Sequence, residues 1–148
     1  MVELRTILLT EDNPKDVELT LEAMADNNLA NQVIRVKDGV EALEYLRRQG
    51  KYKLRKAGNP CLILLDIKMP RMDGIEVLHR IRSDNALKKI PVVILTSSCE
   101  EKDLISTYDL GVNAYVVKPV DFRQFIEAVK QIGSFWAVIN ELPTDGGS

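Results

Sequence analysis

Short runs of Ile, Val and Leu alternate along the chain with stretches whose apolar residues recur every three or four positions. The runs fall at Thr6–Leu9, Val33–Val36, Leu62–Leu65, Val92–Leu95 and Tyr115–Val117. Each is too short for a helix, and unbroken apolar runs are what strands look like when both faces of a sheet are covered. The intervening stretches have helical period. Val17, Leu21 and Met24 mark the first, Val40, Leu43 and Leu46 the second, and Ile75, Leu78 and Ile81 the third. Leu104, Ile105 and Tyr108 mark the fourth. The fifth carries Phe122, Phe125, Ile126, Val129 and Ile132, with Trp136 one turn further on. Pro14 stands where the first helix is expected to start, and Asp121 is placed to cap the last. Five strands alternating with five helices predict a parallel α/β sheet with right-handed crossovers.

Composition narrows the field without naming a function. The chain has 148 residues, 45% hydrophobic and 28% charged, which suits one domain with a full core. A net charge of −2 gives no support to nucleic-acid binding. No apolar run approaches a membrane span, and Met1–Thr10 lacks a signal-peptide pattern. Cys61 and Cys99 are far apart and not at metal-ligand spacing, so reduced thiols in a cytoplasmic protein are expected. The stretch Gln49–Pro60 is a long, polar, basic connection with Gly50 and Gly58, expected to be mobile or functional, with a solvated loop preferred to a partner surface for Lys51–Lys56. Pro143–Ser148 is a short polar tail.

In open α/β sheets the functional crevice lies beyond the carboxyl ends of the strands. The first predicted strand ends in Thr10-Glu11-Asp12-Asn13, the third in Asp66, the fourth in Thr96-Ser97-Ser98 and the fifth in Lys118-Pro119. Only the second ends in nothing distinctive, with Lys37-Asp38-Gly39. Glu11, Asp12 and Asp66 would meet on one rim and repel one another unless a cation joins them. Oxygen ligands with room for water suit Mg²⁺. With Lys118 as a second positive charge and Thr96 as a hydroxyl donor, the set fits phosphoryl transfer, which needs positioning and charge neutralisation above all. Asp66 follows the most continuous apolar run, so it should sit at the centre of the sheet and act as the nucleophile. Each piece alone has an ordinary explanation: acids at a helix start, an Asp in a turn, a capping Thr. Their joint placement at four strand ends is what carries the reading.

The segments Glu11-Asp12-Asn13, Asp66-Ile67-Lys68-Met69-Pro70 with Asp73-Gly74, Thr96-Ser97 and Gly111–Pro119 resemble the signature of receiver domains of bacterial two-component systems. The resemblance spans Arg5 to Ile132 and implies a flavodoxin-like (βα)5 fold, strand order 2-1-3-4-5, helices on both faces. It implies a single domain over 1–148, with a core of about 5–132 and an extended last helix and tail over 133–148. It also implies that Asp66 is the phosphoacceptor and that Asp12 and Asp66 bind Mg²⁺ directly, Glu11 mostly through water. By the same resemblance, the Lys68 backbone carbonyl is expected to complete the metal site, Thr96 and Lys118 to contact the phosphoryl group, Tyr115 to be the aromatic switch residue, and Lys118–Pro119 to be a cis peptide. Ser97 stands where the family more often has Ala. The extended end and absent output domain look like the small regulators partnered with cyanobacterial phytochromes. The expected partners are therefore a phytochrome-type histidine kinase and a downstream protein or phosphotransfer partner, with no nucleic acid and no membrane. Phe135, Trp136 and Ile139 extend an apolar surface that either folds back on the chain or builds a homodimer, and the resemblance favours a dimer on the face of the fourth helix, fifth strand and fifth helix.

The resemblance implies a phosphorylation switch rather than an enzyme with an external substrate. A Mg²⁺-dependent aspartyl-phosphate phosphohydrolase would need an acid two residues after the nucleophile, where Lys68 stands. A nucleotide- or flavin-binding module would need a Gly-rich loop after the first strand. A pseudo-receiver acting only as an interaction module would not need the full set of phosphorylation residues. His79, the only histidine, reads as an ordinary helix residue and Cys99 as an inert thiol. Gly39 and Gly111 read as turn or helix-end glycines.

Overall fold

The computed structural model describes residues 2–25, 32–56, 58–96, 111–112 and 114–132. Five parallel strands, β1 (Val2–Thr10), β2 (Gln32–Val36), β3 (Asn59–Asp66), β4 (Val92–Thr96) and β5 (Ala114–Val117), pair in the order β2-β1-β3-β4-β5. Four helices are described: α1 (Pro14–Ala25), α2 (Gly39–Arg47), α3 (Gly74–Arg82) and α4 (Phe122–Ile132), the last being the fifth of the expected helices. The fourth expected helix, at Leu104, Ile105 and Tyr108, lies outside the described residues, as do Ser97, Ser98, Cys99, Asn113, Phe135, Trp136, Ile139 and the tail.

The sheet divides its side chains between two cores. Leu8, Ile63, Leu65, Val92 and Ile94 face the layer with α2 and α3. Ile7, Leu9, Leu62, Leu64, Val93 and Leu95 face the layer with Met24 of α1 and Phe125, Ala128 and Val129 of α4. The period-two alternation of a strand thus feeds both layers, which is why each run is apolar throughout. β3 is central and wholly buried from Pro60 onward, so its last residue, Asp66, reaches the middle of the rim.

Helix starts follow local chemistry. Pro14 opens α1, and the Asn13 side-chain oxygen accepts the N–H groups of Lys15 and Asp16 at 2.8 and 3.2 Å. Asp38, Asp73 and Asp121 cap α2, α3 and α4 in the same way. On α1 the expected core stripe is corrected. Leu21 is 38% exposed, and its neighbour Thr20 is buried instead, its hydroxyl satisfied by the Asp16 carbonyl at 2.9 Å.

The Gln49–Pro60 connection is solvated at Lys51, Lys53, Leu54 and Lys56, as expected, but Tyr52 and Arg55 anchor it to α2. A 3-10 turn at Gly50–Tyr52 lays Tyr52 edge-on to Tyr45, and the Tyr52 hydroxyl donates to Glu41 at 2.7 Å. Arg55 stacks on the Tyr45 ring at 4.1 Å and donates to the carbonyls of Tyr45, Lys56 and Gly58. Burial alone would raise the Glu41 pKa, but Lys51, the Lys37 N–H and Tyr52 outweigh it and hold Glu41 down at about 2. Among the described residues, no helix is long and apolar enough to cross a membrane.

Candidate functional site

The rim is assembled from the ends of the strands. β1 delivers Glu11, whose N–H donates to the Val36 carbonyl at 3.1 Å and so fixes it against the end of β2. Arg35 of β2 reaches across and donates to the carbonyls of Glu11 and Asp12 at 3.0 and 3.2 Å. The acidic pair therefore has a braced backbone. Glu11 is 1% exposed and Asp66 4%, whereas Asp12 is half-buried and opens to solvent. Oxygens of Glu11, Asp12 and Asp66 lie within 4.8 Å of one another.

Lys118 stands among these acids. Its Nζ donates to Asp66 at 3.2 Å, to Glu11 at 3.3 Å and to Asp16 at 3.1 Å. Its backbone N–H donates to the Thr96 carbonyl at 2.8 Å, tying the end of β5 to the end of β4, and the Lys118–Pro119 peptide is cis. Thr96 is fully buried at the end of β4 and pairs in register with Val117. Tyr115 pairs with Ile94, is half-buried, and packs against the α2–α3 layer. Lys68 is exposed in the loop from β3 to α3. That loop is pressed onto Asp66: a Cβ on Gly74 would meet the Asp66 carbonyl, and the Gly74 N–H donates to the Ile67 carbonyl at 2.8 Å. Only glycine permits that approach.

Three features did not stand out in the sequence. Asp16 is the third acid on Lys118, in the first turn of α1, a position that the helix dipole explains by itself. Arg35 looks like any strand residue. Most plainly, the end of β2 is distinctive after all. Asp38 is 3% exposed and takes two bonds from Arg71, at 2.8 and 2.9 Å, while also capping α2. Next to it, Gly39 lies where a Cβ would run into Val77 and the Met72 carbonyl, so close packing explains this glycine. Gly111 has φ +67, the left-handed turn expected of it. His79 is exposed on α3, and Cys61 is buried, its thiol 3.2 Å from the Thr6 carbonyl.

The electrostatics are under tension. Burial, and then the neighbouring Asp66 charge, push Glu11 up to about 7 against Lys118 and the Asn13 N–H. Burial also raises Asp66, with Lys118 opposing. Burial would lower Lys118, but Asp16, Asp66 and Glu11 outweigh it and hold its pKa above the usual lysine range. One ammonium cannot balance four carboxylates. A hard divalent cation fits the remainder: the donors are all oxygen, they converge, and Asp12 leaves a solvent side for retained waters.

A pH dependence follows. Glu11 holds its proton to about pH 7 when folded but only to about 4.5 when unfolded. Its contribution to stability is thus fully present below about pH 4.5 and lost as pH rises through about 7, on the order of 3 kcal/mol, and raised Asp66 acts with the same sign. In EDTA the protein should melt at a lower temperature at about pH 8 than at about pH 5. A saturating divalent cation, which would favour the ionised acids, should flatten or reverse that trend in the same melts.

The chain matches the family described as response regulator receiver domain over residues 7–130. It is 39% identical over 139 residues to response regulator Rcp1 of Synechocystis sp., covering 94% of this chain and 93% of that protein. Rcp1 is also known in a Mn²⁺-bound form, whose structure superposes with a TM-score of 0.71 over 94% of this chain and 99% of that one. The bacteriophytochrome response regulator RtBRR is 55% identical, with a TM-score of 0.88 over 97% of this chain and 86% of that one. The phosphorylated cyanobacterial phytochrome response regulator RcpA is 45% identical, with a TM-score of 0.71 over 94% of this chain and 98% of that one.

Proposed function

The chain belongs to the response-regulator receiver family, whose members act as signalling switches, and from that premise we propose that it accepts a phosphoryl group on Asp66 from a phytochrome-type histidine kinase. The observation that carries this reading is the meeting of Asp66, Glu11 and Asp12 with the Lys118 ammonium on one rim. The pairing with a phytochrome-type kinase draws on the similarity to RtBRR, RcpA and Rcp1.

An Asp66 oxygen attacks the phosphorus as the bond from phosphorus to the kinase imidazole nitrogen breaks, leaving an aspartyl phosphate and a neutral histidine once that nitrogen is protonated. Lys118 supplies a positive charge to the phosphoryl oxygens and exchanges its contact with Asp66 for one with them. The Thr96 hydroxyl supplies a donor from β4. Glu11, Asp12, Asp66 and the Lys68 carbonyl would hold Mg²⁺, which when bound neutralises the phosphoryl oxygens. The same machinery lets water hydrolyse the aspartyl phosphate, so the protein resets itself.

Output runs through β5. Thr96 turns toward the phosphoryl group, and Tyr115, on the neighbouring strand, moves inward and reshapes the face that β5 shares with α4. That face is the surface for a homodimer and for a downstream protein or phosphotransfer partner in the cytoplasm. Incubation with acetyl phosphate and Mg²⁺ should add one phosphoryl group by intact mass, and EDTA should prevent it. Sedimentation of the same samples reports whether the modified protein associates. Labelling that ignores EDTA would exclude the metal-dependent mechanism.

A further inference from the structure

We propose that Arg71 is a positioning residue for the metal: its ion pair with Asp38 clamps the loop between β3 and α3, and so sets the Lys68 carbonyl beside the carboxylates. The inference rests on the metal reading above. Arg71 Nε donates to Asp38 Oδ2 at 2.8 Å and Nη2 donates to Oδ1 at 2.9 Å, a two-pronged fit of guanidinium to carboxylate. Asp38 is itself immobilised, since it is 3% exposed and its Oδ1 also accepts the Glu41 N–H at 2.9 Å. The clamp is therefore anchored in the first turn of α2.

Backbone geometry points the same way. Arg71 has φ +66, a left-handed conformation that disfavours side chains with a Cβ. An arginine there gives up backbone comfort that a glycine would keep, and what it gains in return is the bond to Asp38. The loop is fixed at its far end by Gly74, which lies against the Asp66 carbonyl. Lys68 falls between Asp66 and Arg71, so a tie at Arg71 limits where its carbonyl can go. Strand order adds the last element. Asp38 follows β2 and Arg71 follows β3, while β1, after which Glu11 and Asp12 follow, lies between them. The ion pair spans the rim on the α2–α3 side and joins the two loops that flank the acidic pair.

Arg71→Gly is the informative variant, because glycine accepts the positive φ and removes only the side chain. Asp38→Asn keeps a capping oxygen for α2 and removes the charge. A purely long-range charge effect has opposite signs: losing the Arg71 cation would tighten Mg²⁺ binding, and losing the Asp38 anion would weaken it. The clamp predicts that both weaken it, by about tenfold, as is usual for residues that orient metal ligands. The double variant should be no worse than the weaker single one. In EDTA, the backbone amides of Ile67, Lys68, Met69 and Met72 should exchange hydrogen faster in both variants, a readout that needs no metal. Mg²⁺ affinity equal to or tighter than wild type in Arg71→Gly, or unchanged exchange, would overturn the clamp. Asp12→Ala serves as the control. If it binds Mg²⁺ normally, the metal reading itself fails; if it loses Mg²⁺ while Arg71→Gly does not, only the clamp fails.

Discussion

Asp66→Asn should lose all phosphoryl acceptance and yet, in EDTA near pH 8, melt at a higher temperature than wild type. The two results have one cause. Asn is nearly isosteric with Asp but its amide is not a nucleophile toward phosphorus, so the chemistry stops. The same change removes a charge that is 4% exposed and lies against buried Glu11. Glu11 is then free to ionise beside Lys118, which keeps Glu11 and Asp16 as partners. Relief of like-charge repulsion and of desolvation should give about 1 kcal/mol at high pH. Near pH 5, where the folded wild type already holds a proton on this pair, the gain should vanish. Mg²⁺ should stabilise the variant less than wild type, because a ligand is gone. Intact mass after acetyl phosphate and a set of melts cover every arm. Labelling of Asp66→Asn to the wild-type extent would place the phosphoryl group elsewhere.

How far the sequence could be read depends on which signal each feature left in it. Strand positions were legible because a strand covered on both faces must be apolar at every residue, as Leu62–Leu65 is. The same uniformity hid which residue faces which layer; the assignment of Ile63 to one core and Leu64 to the other has no trace in the run. The rim chemistry was legible because backbone topology alone brings strand ends together, so Glu11, Asp12, Asp66 and Lys118 needed no side-chain detail to converge. What escaped were pairs made by side chains reaching sideways. Arg71 and Asp38 are 33 residues apart, and Arg71 reaches Asp38 from a left-handed turn. Tyr52 and Arg55 sit in a stretch that composition alone marks as solvated, and they are held by Glu41 and Tyr45 of α2. On α1, periodicity favoured Leu21 over Thr20, since it has no way to weigh a hydroxyl that satisfies itself on the preceding turn.

Lys118→Ala separates the two jobs of that lysine, stability and catalysis, by their response to Mg²⁺. The ammonium lies within 3.3 Å of Glu11, Asp16 and Asp66, and its side chain is 18% exposed. Without it, the metal-free site holds buried acids with no cation. Removing one member of a buried ion pair costs about 3–5 kcal/mol, and residual contact with solvent argues for the low end, about 3 kcal/mol near pH 8. The loss should shrink toward pH 5, where Glu11 escapes by taking up a proton, and burial moves Asp66 in the same direction. Saturating Mg²⁺ should restore most of the stability, since any cation between these carboxylates relieves their repulsion. It should not restore the rate. Charge develops on phosphoryl oxygens in the transition state, and a lost donor aimed at them costs about 10²-fold or more. Phosphorylation of Lys118→Ala by acetyl phosphate should therefore be about 10²-fold slower at saturating Mg²⁺, in a protein that melts near the wild-type temperature. Lys118→Arg should recover stability better than rate, because the planar fork places its charge differently from a point ammonium. If Mg²⁺ returns the rate along with the stability, Lys118 is only a counter-ion for the resting acids. Its place beside the Asp66 oxygen would then have no part in the transfer.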